Sequence, residues 1–149
     1  MVVEATGAAR AQRDLEAMGR RAQDVKPLDQ VIRGIFLKAE EARFQGTEQR
    51  PRWKPLADST RERKAREGQD PRTLRATQVL HRSLTEPGAA MQVDEPTTGS
   101  FRFGTKVPYA FYHDTGTGVP KRKLVGLSKV RRTEVNDHIA DFIAKAKAF

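Results

Sequence analysis

Apolar residues recur at helical spacing in two parts of the chain. Between residues 27 and 45, apolar positions three and four residues apart oppose charged positions, which predicts an amphipathic helix of roughly 17 residues, about 25 Å long, that stops at Gly46. Near the other end, Ser128 is a residue type that caps helices, and the positions after it predict a C-terminal amphipathic helix. The apolar positions of that helix are Val135, Ile139, Phe142, Ile143 and Ala146.

Alternation of apolar and polar residues indicates two short strands between these helices. The first strand runs through residues 89–93 and the second through residues 101–103, ending at Gly104, a residue type that permits backbone angles at which a strand can stop. Because the polar residues 94–99 separate them, the pattern predicts an antiparallel hairpin with a loop of about six residues.

A lone hairpin is only marginally stable in water, so further strands are expected, and Val107 and residues 124–125 are the candidates. We therefore predict an α+β fold, in which a small antiparallel sheet is packed by a long N-terminal amphipathic helix and a C-terminal helix.

Two prolines make residues 50–56 an extended linker, since Pro51 and Pro55 each lack a backbone donor and restrict their neighbours. Trp53, the only tryptophan, lies between them. A large ring with one N–H group is typical of an anchor that is buried while its N–H finds an acceptor.

Two short helices are predicted after the linker. Asp58 or Ser59 can cap a charged helix that runs to residue 67, and residues 74–84 form a second helix with Leu80 on its apolar face.

Aromatic, turn and cationic residues are concentrated together between residues 101 and 127. Pro108 favours the start of a short helix over residues 109–113, and the Gly-Thr-Gly sequence at 116–118 closes it. The loop that follows is expected to carry residues 120–123 to the surface.

Residues 1–26 are rich in alanine, arginine and glutamine and have few apolar positions. We expect a helical arm or extension there that is ordered only by a neighbour, followed by a single domain over residues 27–149.

The net charge of +9 lies entirely after residue 49, because the preceding residues carry equal numbers of acidic and basic side chains. Such an excess suits a nucleic acid or an acidic protein surface. The absence of cysteine excludes disulfides and thiolate metal sites. No apolar run is long enough to cross a bilayer and no signal peptide is evident, so we expect a soluble, unsecreted protein.

No motif for catalysis or for binding a cofactor is present. His81, His113 and His138 lie far apart in the sequence, which argues against a metal site. The glycines near residues 104 and 116 lack the spacing of nucleotide-binding loops. We therefore expect no cofactor, no metal and no enzymatic activity.

Cations without acidic neighbours follow the aromatic segment and could contact phosphates, with Tyr109, Phe111 and Tyr112 close enough in sequence to stack on bases. The favoured interpretation is that Tyr109 and either Phe111 or Tyr112 pack into the core, while the cations form a solvated face. The cations in question are Lys121, Arg122, Lys123, Lys129, Arg131 and Arg132.

An ordered series of short motifs resembles the phage virion morphogenesis family, whose members are tail-completion proteins. The resemblance covers about residues 50–128 and leaves residues 1–26 outside. Where the family tends to have Thr-Gly, this chain has Thr77 and Gln78, which favours a helix over a turn there. The matching positions are Trp53, Pro55 and Leu56, then Leu80 and Ser83, then Tyr109, Ala110, His113 and Gly116, then Pro120 and Arg122.

The resemblance implies a structural protein of the virion tail or neck, assembled in the bacterial host cytoplasm. It would complete the tail end or bridge the tail to the head connector as a ring, hexameric by analogy with tail symmetry. Its partners would be copies of itself, the tail tube or tail terminator, and head-connector proteins, with non-specific contact to passing DNA and none to membrane. The alternative is an independent basic nucleic-acid-binding protein.

Two groups of residues are predicted to matter for this role. The candidate subunit or partner interface consists of Tyr109, His113, Lys121, Arg122 and Lys123. The candidate structural anchors are Trp53, Leu56, Leu80, Phe103, Gly104 and Gly116.

Overall fold

A computed structural model describes residues 8–49 and 51–145 of the chain. Within these residues the protein has six α-helices and one two-stranded antiparallel sheet, which confirms the predicted α+β class. Ala146 and the first seven residues of the predicted arm lie outside the described residues. The elements are α1 (Ala8–Gln23), α2 (Asp29–Phe44), α3 (Asp58–Arg66), α4 (Val79–Thr85), β1 (Gln92–Pro96), β2 (Phe101–Thr105), α5 (Ala110–Thr115) and α6 (Lys129–Ala144).

Helix α2 is the central support of the fold, and its prediction is confirmed. Its apolar stripe is buried at Ile32, Ile35 and Ala39, because these residues recur on one face of the helix. The helix ends at Phe44, and Gly46 then adopts a left-handed φ of 90°, a conformation that glycine reaches without steric cost.

The hairpin lies against α2 through aromatic rings. Phe36 stacks on Phe103 with ring centroids 5.0 Å apart and contacts Phe101 at 5.8 Å. The hairpin therefore gains its stability from packing on helices, and the further strands expected from the sequence are not among the described residues. Val107 and Leu124 belong to no strand and are buried in the core.

The strand boundaries differ from those predicted. Strand β1 begins at Gln92 and continues through residues 94–96, which had been assigned to the loop. Cross-strand pairing explains the extension, since Glu95 lies opposite Arg102 and the two form an ion pair of 3.1 Å. Gly104 does not end β2. It pairs with Val93 inside the strand and has no positive φ.

Two helix starts were also predicted wrongly. Helix α3 has Ala57 at its N-cap, with no side-chain cap from Asp58 or Ser59. Helix α4 begins at Val79 because Leu74 and Gln78 have left-handed φ values of 62° and 61°, through which an α-helix cannot run. Gln78 thus forms a turn, so the helix that the sequence favoured at Thr77 and Gln78 was predicted wrongly.

The terminal helices pack on each other. Helix α6 begins as predicted, with Ser128 Oγ accepting from the backbone N–H of Arg131 at 3.3 Å. In α1, the Arg21 guanidinium donates to the Phe142 carbonyl at 2.9 Å and lies 5.0 Å from the centre of the Phe142 ring. Most of the predicted arm is therefore a helix placed against α6 of the same chain.

Trp53 is buried in the core, where its ring meets Phe44 edge-on at 5.4 Å. Its Nε1–H donates to the carbonyl of Lys123 at 3.1 Å, which ties the linker to a loop 70 residues later. The buried core consists of Phe44, Trp53, Leu80, Leu84, Val107, Ala110 and Leu124.

A buried ion pair joins α2 to the loop before α6. Arg43 Nε donates to Glu40 Oε2 at 2.9 Å, and the same guanidinium donates to the Gly126 carbonyl. The N–H of Gly126 in turn donates to Glu40 Oε1 at 3.3 Å. Burial raises the pKa of Glu40 to about 7 although the charge of Arg43 opposes this.

We predict that Trp53→Ala lowers the free energy of unfolding by roughly 3–5 kcal/mol, because it removes a buried aromatic ring. Trp53→Phe retains most of the ring packing but not the bond to Lys123, and should cost about 1 kcal/mol. Chemical denaturation measures both values. Equal stability of the alanine variant and the wild type would contradict the role of Trp53 in the core.

The raised pKa of Glu40 predicts a pH effect. Between the ordinary pKa of 4.5 and about 7, the native state holds a proton that the unfolded state releases, so this contribution to stability is fully present below pH 4.5 and is lost as the pH rises through 7. This contribution to the free energy of unfolding is at most roughly 3 kcal/mol. The difference in unfolding free energy between wild type and Glu40→Gln, measured across this range, should fall with pH. An equal dependence of the unfolding free energy on pH in the two proteins would contradict the raised pKa of Glu40.

Candidate functional site

Helix α5 explains the spacing of the aromatic motif. Ala110 is buried, so a small residue lets the short helix sit directly on the core. Gly116 ends the helix with φ of 84°, and a Cβ there would lie 2.9 Å from Cβ of Lys121. Only glycine therefore allows the chain to turn back so closely after α5.

The returning chain is bonded to α5 by three contacts. The backbone N–H of Arg122 donates to the His113 carbonyl at 2.7 Å. Asp114 accepts from the backbone of Leu124 at 2.9 Å and from Lys123 Nζ at 3.3 Å. These bonds turn the side chain of Arg122 inward while Lys121 and Lys123 remain exposed.

Arg122 is only 4% exposed, so the expectation that residues 120–123 all lie on the surface is wrong for this residue. Alternation along an extended segment accounts for the difference, since neighbouring side chains point to opposite sides.

A cleft of about 700 Å³ lies between the Trp53 linker, α3, the turn before α4 and the loop after α5. Three predicted interface residues line it, namely Tyr109, His113 and Arg122, together with the half-buried anchor Leu56. The other two predicted interface residues, Lys121 and Lys123, do not line the cleft. Its lining residues are Lys54, Pro55, Leu56, Ala57, Thr60, Arg63, Lys64, Gln69, Leu74, Ala76, Thr77, Tyr109, His113, Val119, Pro120 and Arg122.

The model of the phage virion morphogenesis family matches residues 8–144. The chain belongs to this family. The match covers nearly the whole chain and gives the protein a role in the morphogenesis of the phage virion. It includes most of the N-terminal arm, so the expectation that residues 1–26 lie outside the resemblance is wrong for residues 8–26. No curated protein and no solved structure was found to match the chain.

Two structural findings concern metal binding and the crossing of a membrane. In residues 8–49 and 51–145, no three His, Asp or Glu side chains are grouped so that they could hold a metal ion. None of the helices described has both the length and the apolar character needed to cross a membrane.

The cleft of this phage family member is cationic and largely apolar. None of its lining residues is acidic, while Lys54, Arg63, Lys64 and Arg122 carry positive charge. Apolar side chains from the linker and from the turn before α4 form much of the remaining wall. Such a surface is complementary to an acidic group carried by an apolar segment.

Arg122 lacks the compensation that the other buried cations have. Arg43 pairs with Glu40, Arg75 lies 3.7 Å from Glu41, and Lys64 donates to two backbone carbonyls. By contrast, the Arg122 guanidinium makes one hydrogen bond, to the Lys54 carbonyl at 3.2 Å, and no described carboxylate lies within ion-pair distance. Burial lowers the pKa of Arg122, because a charge is less stable away from water.

Two further polar atoms in the cleft wall have no hydrogen-bond partner among the described residues. They are His113 Nδ1 and Gln69 Oε1. Arg122 Nε also lacks a hydrogen-bond partner among these residues. Burial, and then the charge of Arg122, lower the pKa of His113, so its ring is neutral at neutral pH. The cleft thus contains unused hydrogen-bonding capacity beside an uncompensated charge.

Aromatic rings are exposed on α5 next to the cleft. Phe111 is 63% exposed, Tyr112 51% and Tyr109 41%, so the favoured interpretation that two of them pack into the core is wrong. Ala110 takes the inward position of this short helix and leaves the larger rings outside. A small residue within an aromatic segment was the sequence signal that could have indicated this.

The cations after α5 are mostly engaged within the chain. Lys123 pairs with Asp114, Arg131 with Glu48 and Glu134, and Arg132 donates to a backbone carbonyl. With Arg122 buried, the predicted run of six cations does not form a continuous free surface for phosphates.

We predict that Arg122→Met leaves the free energy of unfolding of the isolated chain unchanged or raises it by about 1–2 kcal/mol, because it replaces an uncompensated buried charge by an apolar side chain. Arg43→Met is the matched control. It leaves Glu40 without its partner and should cost roughly 3 kcal/mol or more. Thermal and urea unfolding of both variants measure this, and a large loss of stability in Arg122→Met would refute the assignment of a binding role to the charge.

Proposed function

We propose that this protein completes the tail end of a tailed phage and bridges it to the head connector, as a ring of identical subunits that performs no catalysis. The observation that carries the proposal is the exposed aromatic surface of α5 beside the uncompensated cleft, in a protein of the virion morphogenesis family. Contiguous exposed aromatic rings are typical of surfaces that are covered in an assembly.

A ring requires two different complementary faces on each subunit, because each copy must contact the next in a head-to-tail manner. The cleft and α5 supply one such face. Six-fold symmetry, which would match the symmetry of tails, is the expected stoichiometry.

The positive charge has a secondary role in this proposal. A ring around the path of the genome would attract phosphates without reading bases. Because most cations after α5 are engaged internally, this contact should be weak and sensitive to salt. An independent nucleic-acid-binding protein would instead show tight DNA binding at physiological salt.

The test is the mass of the purified protein alone and with tail tubes of the same phage, measured by light scattering and electron microscopy. A ring, or density on one end of the tube, is the expected result. A monomer that ignores tubes but binds DNA tightly would support the alternative function and contradict this one.

Substitution of the exposed rings tests the role of α5. We predict that the double variant Phe111→Ser and Tyr112→Ser binds tail tubes at least about ten-fold more weakly, because exposed aromatic residues dominate interface energies. Its melting temperature should change little, since neither ring is buried. Val130→Ser, at a side chain 76% exposed on α6, is the control and should bind normally. Equal weakening by both variants would argue against α5 as the contact surface.

A further inference from the structure

A second cavity, which we call the linker groove, lies between the end of α2, the Trp53 linker, α3 and residues 71–75. Its volume is about 700 Å³. None of the described residues that line it is acidic, and five of them are basic, so the groove concentrates positive charge. The basic side chains are Arg52, Lys54, Arg61, Arg72 and Arg75.

Two of these cations are placed in the groove by the burial of Trp53. Residues 52–57 belong to no helix or strand, and Trp53 is buried while its neighbours Arg52 and Lys54 are exposed. This alternation is typical of an extended segment. The Cα atoms of two residues so spaced are about 7 Å apart, which lets each side chain contact its own phosphate on a nucleic-acid strand.

The same two cations are available to another molecule. Neither Arg52 nor Lys54 forms an ion pair with a carboxylate among the described residues, and both line the groove. The other three cations of the groove are paired within the chain. These pairs are Arg61 with Asp58, Arg72 with Asp70, and Arg75 with Glu41.

The polarity of the groove favours a nucleic acid over an acidic protein surface. Its two largest apolar side chains, Phe44 and Trp53, are only 9% and 7% exposed, so they offer little surface to a partner. The core of a protein–protein interface is mostly apolar, whereas protein–DNA interfaces are more polar and strongly cationic. A polyphosphate chain therefore matches the groove better than a protein does.

Neither of two other cationic cavities matches it as well. The cavity that Lys129 and Arg132 line also contains Glu48, whose carboxylate would repel a phosphate. The cleft beside α5 has no acidic lining residue, but its wall is largely apolar, and its cations Lys64 and Arg122 are buried.

We propose that the linker groove contacts the DNA that passes through the ring, with Arg52 and Lys54 bound to its phosphates. Contacts to phosphates read no base sequence and allow a protein and DNA to slide past each other. This inference rests on the proposed ring, because only a ring encloses the path of the DNA.

Binding of the full chain to a DNA duplex of about 20 base pairs, measured by fluorescence anisotropy at several salt concentrations, tests the assignment. The double variant Arg52→Gln and Lys54→Gln should bind at least about ten-fold more weakly at low salt. The slope of log affinity against log salt concentration should become shallower by about 2, since roughly one counterion is released for each phosphate contact.

The double variant Lys106→Gln and Lys129→Gln is the matched control, because it also removes two exposed positive charges but from outside the groove. It should bind DNA within about two-fold of the wild type and with the same slope. Both double variants should melt as the wild type does, since all four side chains are exposed. An equal loss of DNA affinity in the two would show that net charge alone decides binding and would overturn the assignment.

The remaining outcomes separate this inference from the proposed function. If the wild type does not bind DNA at low salt, or if the groove variant loses affinity for polyglutamate but not for DNA, the inference is overturned. A ring on tail tubes found together with either result leaves tail completion standing. A chain that stays monomeric with and without tail tubes overturns both proposals, because DNA then has no ring to pass through.

Discussion

Contacts with the Trp53 linker, α5 and α2 fix the segment from Arg122 to Gly126, and the rest of the structure depends on them. Trp53 holds the carbonyl of Lys123, the backbone of Arg122 is bonded to His113, and the buried Glu40–Arg43 pair holds Gly126. The anchoring elements are far apart in sequence, so folding of the whole domain is needed before this segment takes its shape. Once it is fixed, Leu124 enters the core and Arg122 enters the cleft.

Two buried arginines differ in how their charges are compensated. Arg43 has a carboxylate and a backbone carbonyl as partners, so its charge is compensated within the subunit. Arg122 is buried to a similar degree with a single carbonyl. A buried charge without a counter-ion among the residues that the structure describes is costly, so the second arrangement does not favour the folded state of the subunit. The aromatic rings of Phe111 and Tyr112 on α5 are exposed beside it.

Sequence patterns predicted the parts of the fold that depend on periodicity. Helix α2 follows from apolar residues on one face, the start of α6 follows from its Ser128 cap, and the hairpin follows from alternation. The turn before α4 could not be predicted in this way, because neither Leu74 nor Gln78 is a residue type that favours a left-handed φ. In the structure Leu74 packs against the core and Gln78 Nε2 donates to Asp70 Oδ2 at 2.7 Å, and both contacts are with residues outside the local pattern.

The candidate site was predictable only in part. The family motif placed Tyr109, His113 and Arg122 together, and the structure brings all three to one cleft. Their exposure was assigned less well, because local propensity does not say which side of a short helix or loop meets the core. The buried Ala110 decides which side of α5 meets the core, and the backbone hydrogen bond from Arg122 to His113 decides which side of the following loop does. Both depend on how the elements pack in the folded chain.

Hydrogen–deuterium exchange of the full chain, free and bound to tail tubes of the same phage, tests the central claim most directly. The account predicts that binding protects the amides of α5 and of residues 116–122, while the hairpin exchanges as before. Protection confined to the hairpin or to α6, with α5 and the cleft unchanged, would contradict it.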